Sequence, residues 1–577
     1  MVKLTAAATV SIPRIVIFAL TIIYGLAGLF GRDPWKNEDS IGFGVMWTLH
    51  TGSWQDWLVP GLSGRDLSIG APLPYWLGAS LMDLFGSWIG DANAARLYTA
   101  LCFFASAIAI WYATYLLGRR QEVQPMSFAL GGQPNKRDYG MTLADGALLI
   151  FLACVGLAQR SHETTPMMAH LMGLSIILYG TVRGLDKPWQ GGAWTGLGLV
   201  ILGLSSNWAL TVLIALAIGL AVLLCQVKLR FRWTLSSSVI AILGIGVWPF
   251  LWHLFNLSPE LQDSTLQAWA NTPPMHNYPS LKALKFIFSN FWVYAWPLWP
   301  LAIVGISHWV RNNHSGGWRS PHICIPLGLL ISSFAYVLMR VEANEHDLII
   351  LIPSLAILAA FSLPVLSRSV ISFIDWLALL GFTLIGIAIW VIWLAMTTGY
   401  PAQIAANASR FLPGYEIAFS WISFLTAISI SIIWALIVGW RTSRAPRVIW
   451  RCLAISASGT TLMWVLLMTL WLPTINYAKT YRFVAERLVK SVPADVKCID
   501  TSNLGQAQLA SFIYFTKLPL ADNTNCPYCL LTTLALRLRS LLLMIGSSSS
   551  YGRIVGHLTA QSACIYTRSY LSKYVRR

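Results

Sequence analysis

Apolar runs of about twenty residues recur along this chain, closed by Arg/Lys clusters or by Pro, Gly and Asn. Such runs cross a bilayer as helices, because lipid offers no partner to an unpaired backbone amide or carbonyl. They fall at 12–31, 95–117, 141–159, 165–182, 190–206, 208–226 and 236–256. The later ones fall at 291–310, 322–340, 348–366, 371–397, 417–439 and 452–472. The pattern therefore predicts thirteen transmembrane helices. The stretch 72–89 is also apolar and helical in length, but a span there would reverse every later loop and put Arg119 and Arg120 outside. It is read as a helix lying in the outer interface. The first run is long and lacks a small-residue cleavage pattern before Gly31, so it is read as a span and not as a removable signal.

Composition agrees with this pattern. Of 577 residues, 56% are hydrophobic and 11% charged, against about 25% charged in soluble proteins. The expected fold class is an all-α polytopic membrane protein. The net charge of +17 follows topology: basic residues gather in 118–140 (Arg119, Arg120, Lys136, Arg137), 183–187, 228–232, 311–319 and 441–451, and at Arg368. The acids Glu38, Asp39, Asp56, Asp66, Glu163, Glu260, Glu342, Glu345 and Asp347 lie in the alternate loops. Positive loops stay inside, so the N-terminus is placed in the cytoplasm and the C-terminal segment outside, in the periplasm of a bacterial inner membrane. No basic stripe with interleaved stacking aromatics stands apart from these loops, which argues against a nucleic-acid partner.

The outer side keeps the irregular sequence. A first loop, 32–94, is rich in Trp; a second, 256–290, holds Thr272, Pro273, Pro274, Met275 and His276. Residues 1–472 are read as the transmembrane domain. Residues 473–577 are read as a small periplasmic α/β domain, with a strand near 496–501, a helix near 504–515 and a basic tail. From Leu530 onward there is no Asp or Glu and seven Arg or Lys, a composition drawn to anionic lipid. Cys102, Cys154, Cys225, Cys324 and Cys452 sit in or beside spans as packing residues. Cys498, Cys526, Cys529 and Cys564 fall outside, where a disulfide is permitted, with Cys498–Cys526 the favoured pair.

Candidate chemistry starts at Glu38 and Asp39, adjacent carboxylates just beyond the first span. Two acids there can take a proton from an acceptor, or steady a phosphate-bearing donor through a cation. Arg160-Ser161-His162-Glu163 follows the third span on the same side. Arg340, Glu342, Glu345, His346 and Asp347 mark another outer edge.

These residues resemble a family. Pro34-Trp35-Lys36-Asn37-Glu38-Asp39, then Gly52-Ser53-Trp54-Gln55-Asp56-Trp57, then Pro72-Leu73-Pro74-Tyr75-Trp76 are similar to the first outer loop of GT-C membrane glycosyltransferases. Bacterial lipid A aminoarabinose transferases and protein O-mannosyltransferases are the nearest likenesses. The similarity continues through Trp296-Pro297-Leu298-Trp299-Pro300, Asp347 to Pro353, and Trp471-Leu472-Pro473 with Tyr477-Ala478-Lys479, covering roughly 10–530.

The resemblance implies a glycosyltransferase that takes a sugar from a polyprenyl-phosphate donor and passes it, with inversion, to a lipid, glycan or protein acceptor among the membrane lipids. It implies Glu38, Asp39 and Glu163 as catalytic candidates, with Lys36, Arg65, Tyr75, His162, Arg340, Glu345, His346 and Asp347 around the substrate. The family's usual Asp-Glu order is inverted here. Gly70 stands where family members carry a lysine near donor phosphate, and Ser205-Ser206-Asn207 replaces a second basic position. No cofactor is fixed; the acids leave room for a divalent cation. The alternatives are a flippase for a lipid-linked substrate, which would favour charges near mid-membrane, and a non-catalytic assembly protein on the same scaffold.

Overall fold

A computed structural model describes residues 4–62, 70–127, 129, 131–225, 231–311, 317–412, 415, 419–442, 449–492, 498–501, 504–516, 518–521, 528–532 and 563–567. Each of the thirteen apolar runs is helical, and the chain is an all-α multi-span membrane protein. Among the described residues, eight helices are long and apolar enough to cross a membrane. A ninth span results if Leu281–Tyr294 and Leu298–Arg311, bent by 96°, count as one.

The difference from thirteen has a physical basis. Lys136–Leu152, Pro188–Gly203 and Trp208–Leu224 have 17, 16 and 17 residues, or about 25 Å of helix at 1.5 Å per residue, short of a ~30 Å hydrocarbon core. Lys136–Leu152 also carries Lys136, Arg137, Asp138 and Asp145. Met167–Gly184 includes His170 and Arg183.

The spans pack closely where small residues meet. A Cβ on Gly180 would lie 2.4 Å from the Thr195 nitrogen, and one on Gly191 would lie 2.1 Å from the Gly184 nitrogen. Helices Met167–Gly184 and Pro188–Gly203 therefore touch backbone to backbone, the contact that membrane helices use where no hydrophobic drive separates lipid from side chain. The segment Glu345–Val365 lies innermost, with 89% of its apolar window buried. It begins as a 3₁₀ turn, Glu345–Leu351, under an Asn344/Asp347 capping box.

The loop after the first span carries helices Glu38–Thr51, Trp54–Leu58 and Leu73–Ile89. The expected 72–89 helix is present, opening with Pro in its first turn. No separate C-terminal α/β domain is seen among the described residues. Helix Gln506–Thr516 docks on Glu38–Thr51: the Phe43 and Trp47 rings meet Tyr514 edge-on at 4.8 and 5.0 Å, and Ser40 donates to the Ala507 carbonyl. Strands Ile499–Asp500, Leu520–Ala521, Tyr528–Thr532 and Ala563–Thr567 are short. They run in the order 520–521, 499–500, 528–532, 563–567; the first two pairings are parallel and the last antiparallel. Cys498 is disulfide-bonded; its expected partner, Cys526, lies outside the described residues.

Candidate functional site

Asn37 adopts a positive φ of 71°, uncommon for a residue other than glycine. That turn starts helix Glu38–Thr51 and sends its two acids in different directions. Asp39 points inward and is 1% exposed. Its Oδ2 accepts from the Arg32 guanidinium at 2.9 Å and the Trp35 amide at 2.8 Å. Its Oδ1 accepts from the Thr164 amide and hydroxyl, both at 2.7 Å. Burial pushes the Asp39 carboxyl upward, but the Arg32 and Arg96 cations and the Thr164 bond outweigh it and hold the group below the usual carboxylate range. Gly42 permits this approach, since a Cβ there would fall 1.8 Å from the Thr164 carbonyl oxygen.

Glu38 is the opposite case. It is half-buried and its carboxylate has no hydrogen bond or ion pair among the described residues. Its charge reaches Tyr75, which is buried on Leu73–Ile89. An acid at the first position of a helix is favoured by the helix dipole, and Glu38 stands at that position.

Around this pair the first loop is fastened to the chain's far end. Asp33 pairs with Arg482 and takes the Asn476 side chain on its amide. The Lys36 amide donates to the Lys479 carbonyl at 2.8 Å, and its ammonium donates to the Ala478 carbonyl at 2.7 Å. The Lys479 ammonium lies 4.8 Å from the centre of the Trp35 ring. It also feels Glu163, Arg160, Arg32 and Asp39, and burial lowers its pKa. Burial likewise lowers that of Lys36.

The second group is built on helix Val155–Arg160 and the loop after it. Glu163 accepts from Gln159 at 2.7 Å and from Arg160 at 3.1 and 3.0 Å, and its Oε2 meets His346 Nε2 at 2.7 Å. Burial raises its pKa, yet His346 and Arg160 more than reverse this and hold it far below the usual range. Arg160 also donates to Glu345 at 2.5 Å. Burial lowers the Arg160 pKa, but the Glu163 and Glu345 carboxylates turn the net shift upward. Arg340 binds Asp347 at 3.1 Å and the Pro274 carbonyl at 3.3 Å, so it braces the 3₁₀ turn.

One short loop joins the two groups. The His162 carbonyl accepts from Arg32, Glu163 reaches His346, and Thr164 reaches Asp39. The His162 ring itself faces inward: Nδ1 lies 2.6 Å from the Ala158 carbonyl and Nε2 2.9 Å from that of Tyr24. Burial pulls its pKa down to about 4, against the two carbonyl contacts that raise it, and the ring packs against Trp464.

Of the sequence candidates, Lys36, Glu38, Asp39 and Tyr75 fall in the first group, with His162 beneath it. Glu163, Glu345 and His346 fall in the second, with Arg340 and Asp347 bracing it. Arg65 lies outside the described residues. Sequence reasoning missed Arg32, Arg96, Thr164 and Lys479 as members of the site. Arg96 had a readable signal, an arginine within an apolar span. At the position of the family's lysine, Gly70 has φ +94°, a conformation that disfavours a lysine. The nearby Asn207 amide meets the Pro273 carbonyl at 3.3 Å. Among the described residues no group of three or more His, Cys, Asp or Glu is arranged to hold a metal ion.

No protein-family model and no curated protein matches the chain. Solved structures do. ArnT from Cupriavidus metallidurans bound to undecaprenyl phosphate superposes with a TM-score of 0.64 at 14% identity, over 96% of this chain and 97% of that one. The same protein in the apo state gives 0.60 at 14% identity, over 92% and 94%. At this identity the likeness concerns the path of the backbone, and over nearly its full length the chain has the fold of that ArnT protein.

Proposed function

We propose that this protein is an inverting glycosyltransferase, using a polyprenyl-phosphate sugar as donor and lipid A, another envelope glycan or a protein as acceptor. The reaction is placed at the outer face of a bacterial inner membrane, with the N-terminus inside. The observation that carries this is the backbone shared almost end to end with a protein solved with undecaprenyl phosphate bound. The gathering of acids and cations into two joined groups supports it.

In the proposed reaction an acceptor oxygen forms a bond to the anomeric carbon from the face opposite the phosphate. The carbon–oxygen bond to phosphate breaks, and polyprenyl phosphate leaves with the electron pair. Glu38 is the carboxylate free to meet substrate. Asp39 holds the loop that presents it. Lys479, with Lys36 beside it, supplies positive charge where the family's lysine is replaced by Gly70. Their ammonium groups would steady carrier phosphate as point charges.

The test is transfer from labelled polyprenyl-phosphate sugars by protein in lipid nanodiscs, with an envelope-lipid extract as acceptor. Transfer that disappears in Glu38→Gln at normal membrane abundance supports the proposal. Absence of transfer by folded wild-type protein with every donor overturns it.

A further inference from the structure

Glu163 and His346 are 183 positions apart in sequence, yet the structure joins them as a carboxylate–imidazole pair at 2.7 Å. Their side chains are 5% and 10% exposed. A carboxylate offers only lone pairs, so this contact holds only if the Nε2 atom of His346 carries the proton. The Arg160 guanidinium also comes within 3.2 Å of Nε2. Arginine is a donor alone, and its Nη1 is already directed at both Glu163 oxygens. The lone pair of the neutral ring is thereby assigned to Nδ1. That atom has no hydrogen bond among the described residues and is not among the buried polar atoms left without a partner.

Fastening the 3₁₀ turn does not require such an imidazole. Arg160–Glu345, Arg340–Asp347 and the Asn344 cap already hold it. What the pair adds is a ring oriented by an anion at one nitrogen and open at the other, the arrangement that makes histidine a base.

We propose that His346, oriented by Glu163, is the general base of the reaction, and that the acceptor is a hydroxyl and not an ionised phosphate. An ionised phosphate attacks without losing a proton, whereas a hydroxyl must give one up. The acceptor oxygen bonds to the anomeric carbon as its proton passes to Nδ1. The carbon–oxygen bond to phosphate breaks, the polyprenyl phosphate leaves as the anion, and Glu163 faces the resulting imidazolium. Glu38 then orients substrate. This rests on the glycosyltransferase reading and adds the base and the acceptor class. The ring meets Glu163 and Arg160; Gln159 and Glu345 bind those two, Arg340 binds Asp347 of the same turn, and Tyr294 on helix Leu281–Tyr294 feels Arg160, Glu163 and Glu345.

The experiment measures transfer against pH for wild type, His346→Gln, His346→Ala and Glu163→Gln in nanodiscs, with binding of unlabelled undecaprenyl phosphate measured in parallel. Wild-type transfer is expected to rise along an acid limb. In His346→Gln it should fall by about 10²-fold or more and lose that limb, with carrier binding unchanged. Added imidazole should restore part of the activity of His346→Ala. Transfer by His346→Gln that stays within about threefold of wild type, or keeps the wild-type limb, overturns the role of His346 while leaving the glycosyltransferase reading intact. A wild type that transfers sugar to phosphate acceptors and to no hydroxyl overturns the acceptor class. A folded wild type with no transfer from any donor overturns both proposals. Should His346→Ala fold poorly, the pH profiles of His346→Gln and Glu163→Gln decide alone.

Discussion

The groups around Asp39 and around Glu163 look alike in composition, each a buried carboxylate facing arginine, but they end differently. Both oxygens of Asp39 are met, by Arg32, the Trp35 amide and Thr164. The contacts of Glu163 run outward to His346, whose second nitrogen has no hydrogen bond among the described residues. A buried charge with every lone pair met is a fastening. The same charge passed to a group with spare capacity is a site for chemistry.

The strongest way to break the comparison is Asp39→Asn. It leaves Arg32 buried without its anion, a change that costs about 3–5 kcal/mol in buried pairs. Folded yield and the unfolding midpoint in detergent should fall sharply; near-normal stability would show that Asp39 is not a fastening. Glu38→Gln separates the adjacent acids most cleanly. Transfer should drop by about 10²-fold or more with the unfolding midpoint unchanged. Equal stability losses in Glu38→Gln and Asp39→Asn would erase the distinction between them.

Lys479→Met tests the cation between the groups. It keeps contact with the Trp35 ring but removes the charge. Affinity for undecaprenyl phosphate should weaken about tenfold, or about 1.4 kcal/mol. Unchanged affinity would take Lys479 out of the site.

The smallest effect is a pH dependence. His162 has a folded-state pKa of about 4, below its ordinary value near 6.5. Its stabilising contribution is complete above about pH 6.5 and is lost as pH falls toward about 4, because the unfolded chain takes up the proton first. Asp39 and Glu163, also depressed, add losses only below the ordinary carboxylate range. Thermal stability should therefore decline from pH 6.5 toward 4, and His162→Gln should flatten that slope. A slope unchanged in the variant would assign it to another group.

Much of the fold was legible because lipid imposes a simple rule. A run such as 95–117 has no alternative to a helix in a bilayer, and the structure makes it Asp91–Gly118. Helix length was harder to read: Pro188–Gly203 is apolar and helical but short, since the polar ends of a run are not marked by hydropathy alone. The separate C-terminal domain expected from falling hydropathy did not anticipate that Gln506–Thr516 would find an apolar partner in Phe43 and Trp47.

At the site, the sequence by itself determined that Glu38 and Asp39 stand together just beyond the first apolar run. It also determined that Gly70 cannot supply a lysine's charge. Only the tertiary structure decided which acid is enclosed and which is open. That depends on Thr164 arriving across 125 residues to meet Asp39. It likewise decided that His346 meets Glu163 and that Lys479 lies over Trp35. Hydropathy is a property of each segment and survives in the linear order. Hydrogen-bond satisfaction belongs to pairs of segments, and it exists only once the chain has closed on itself.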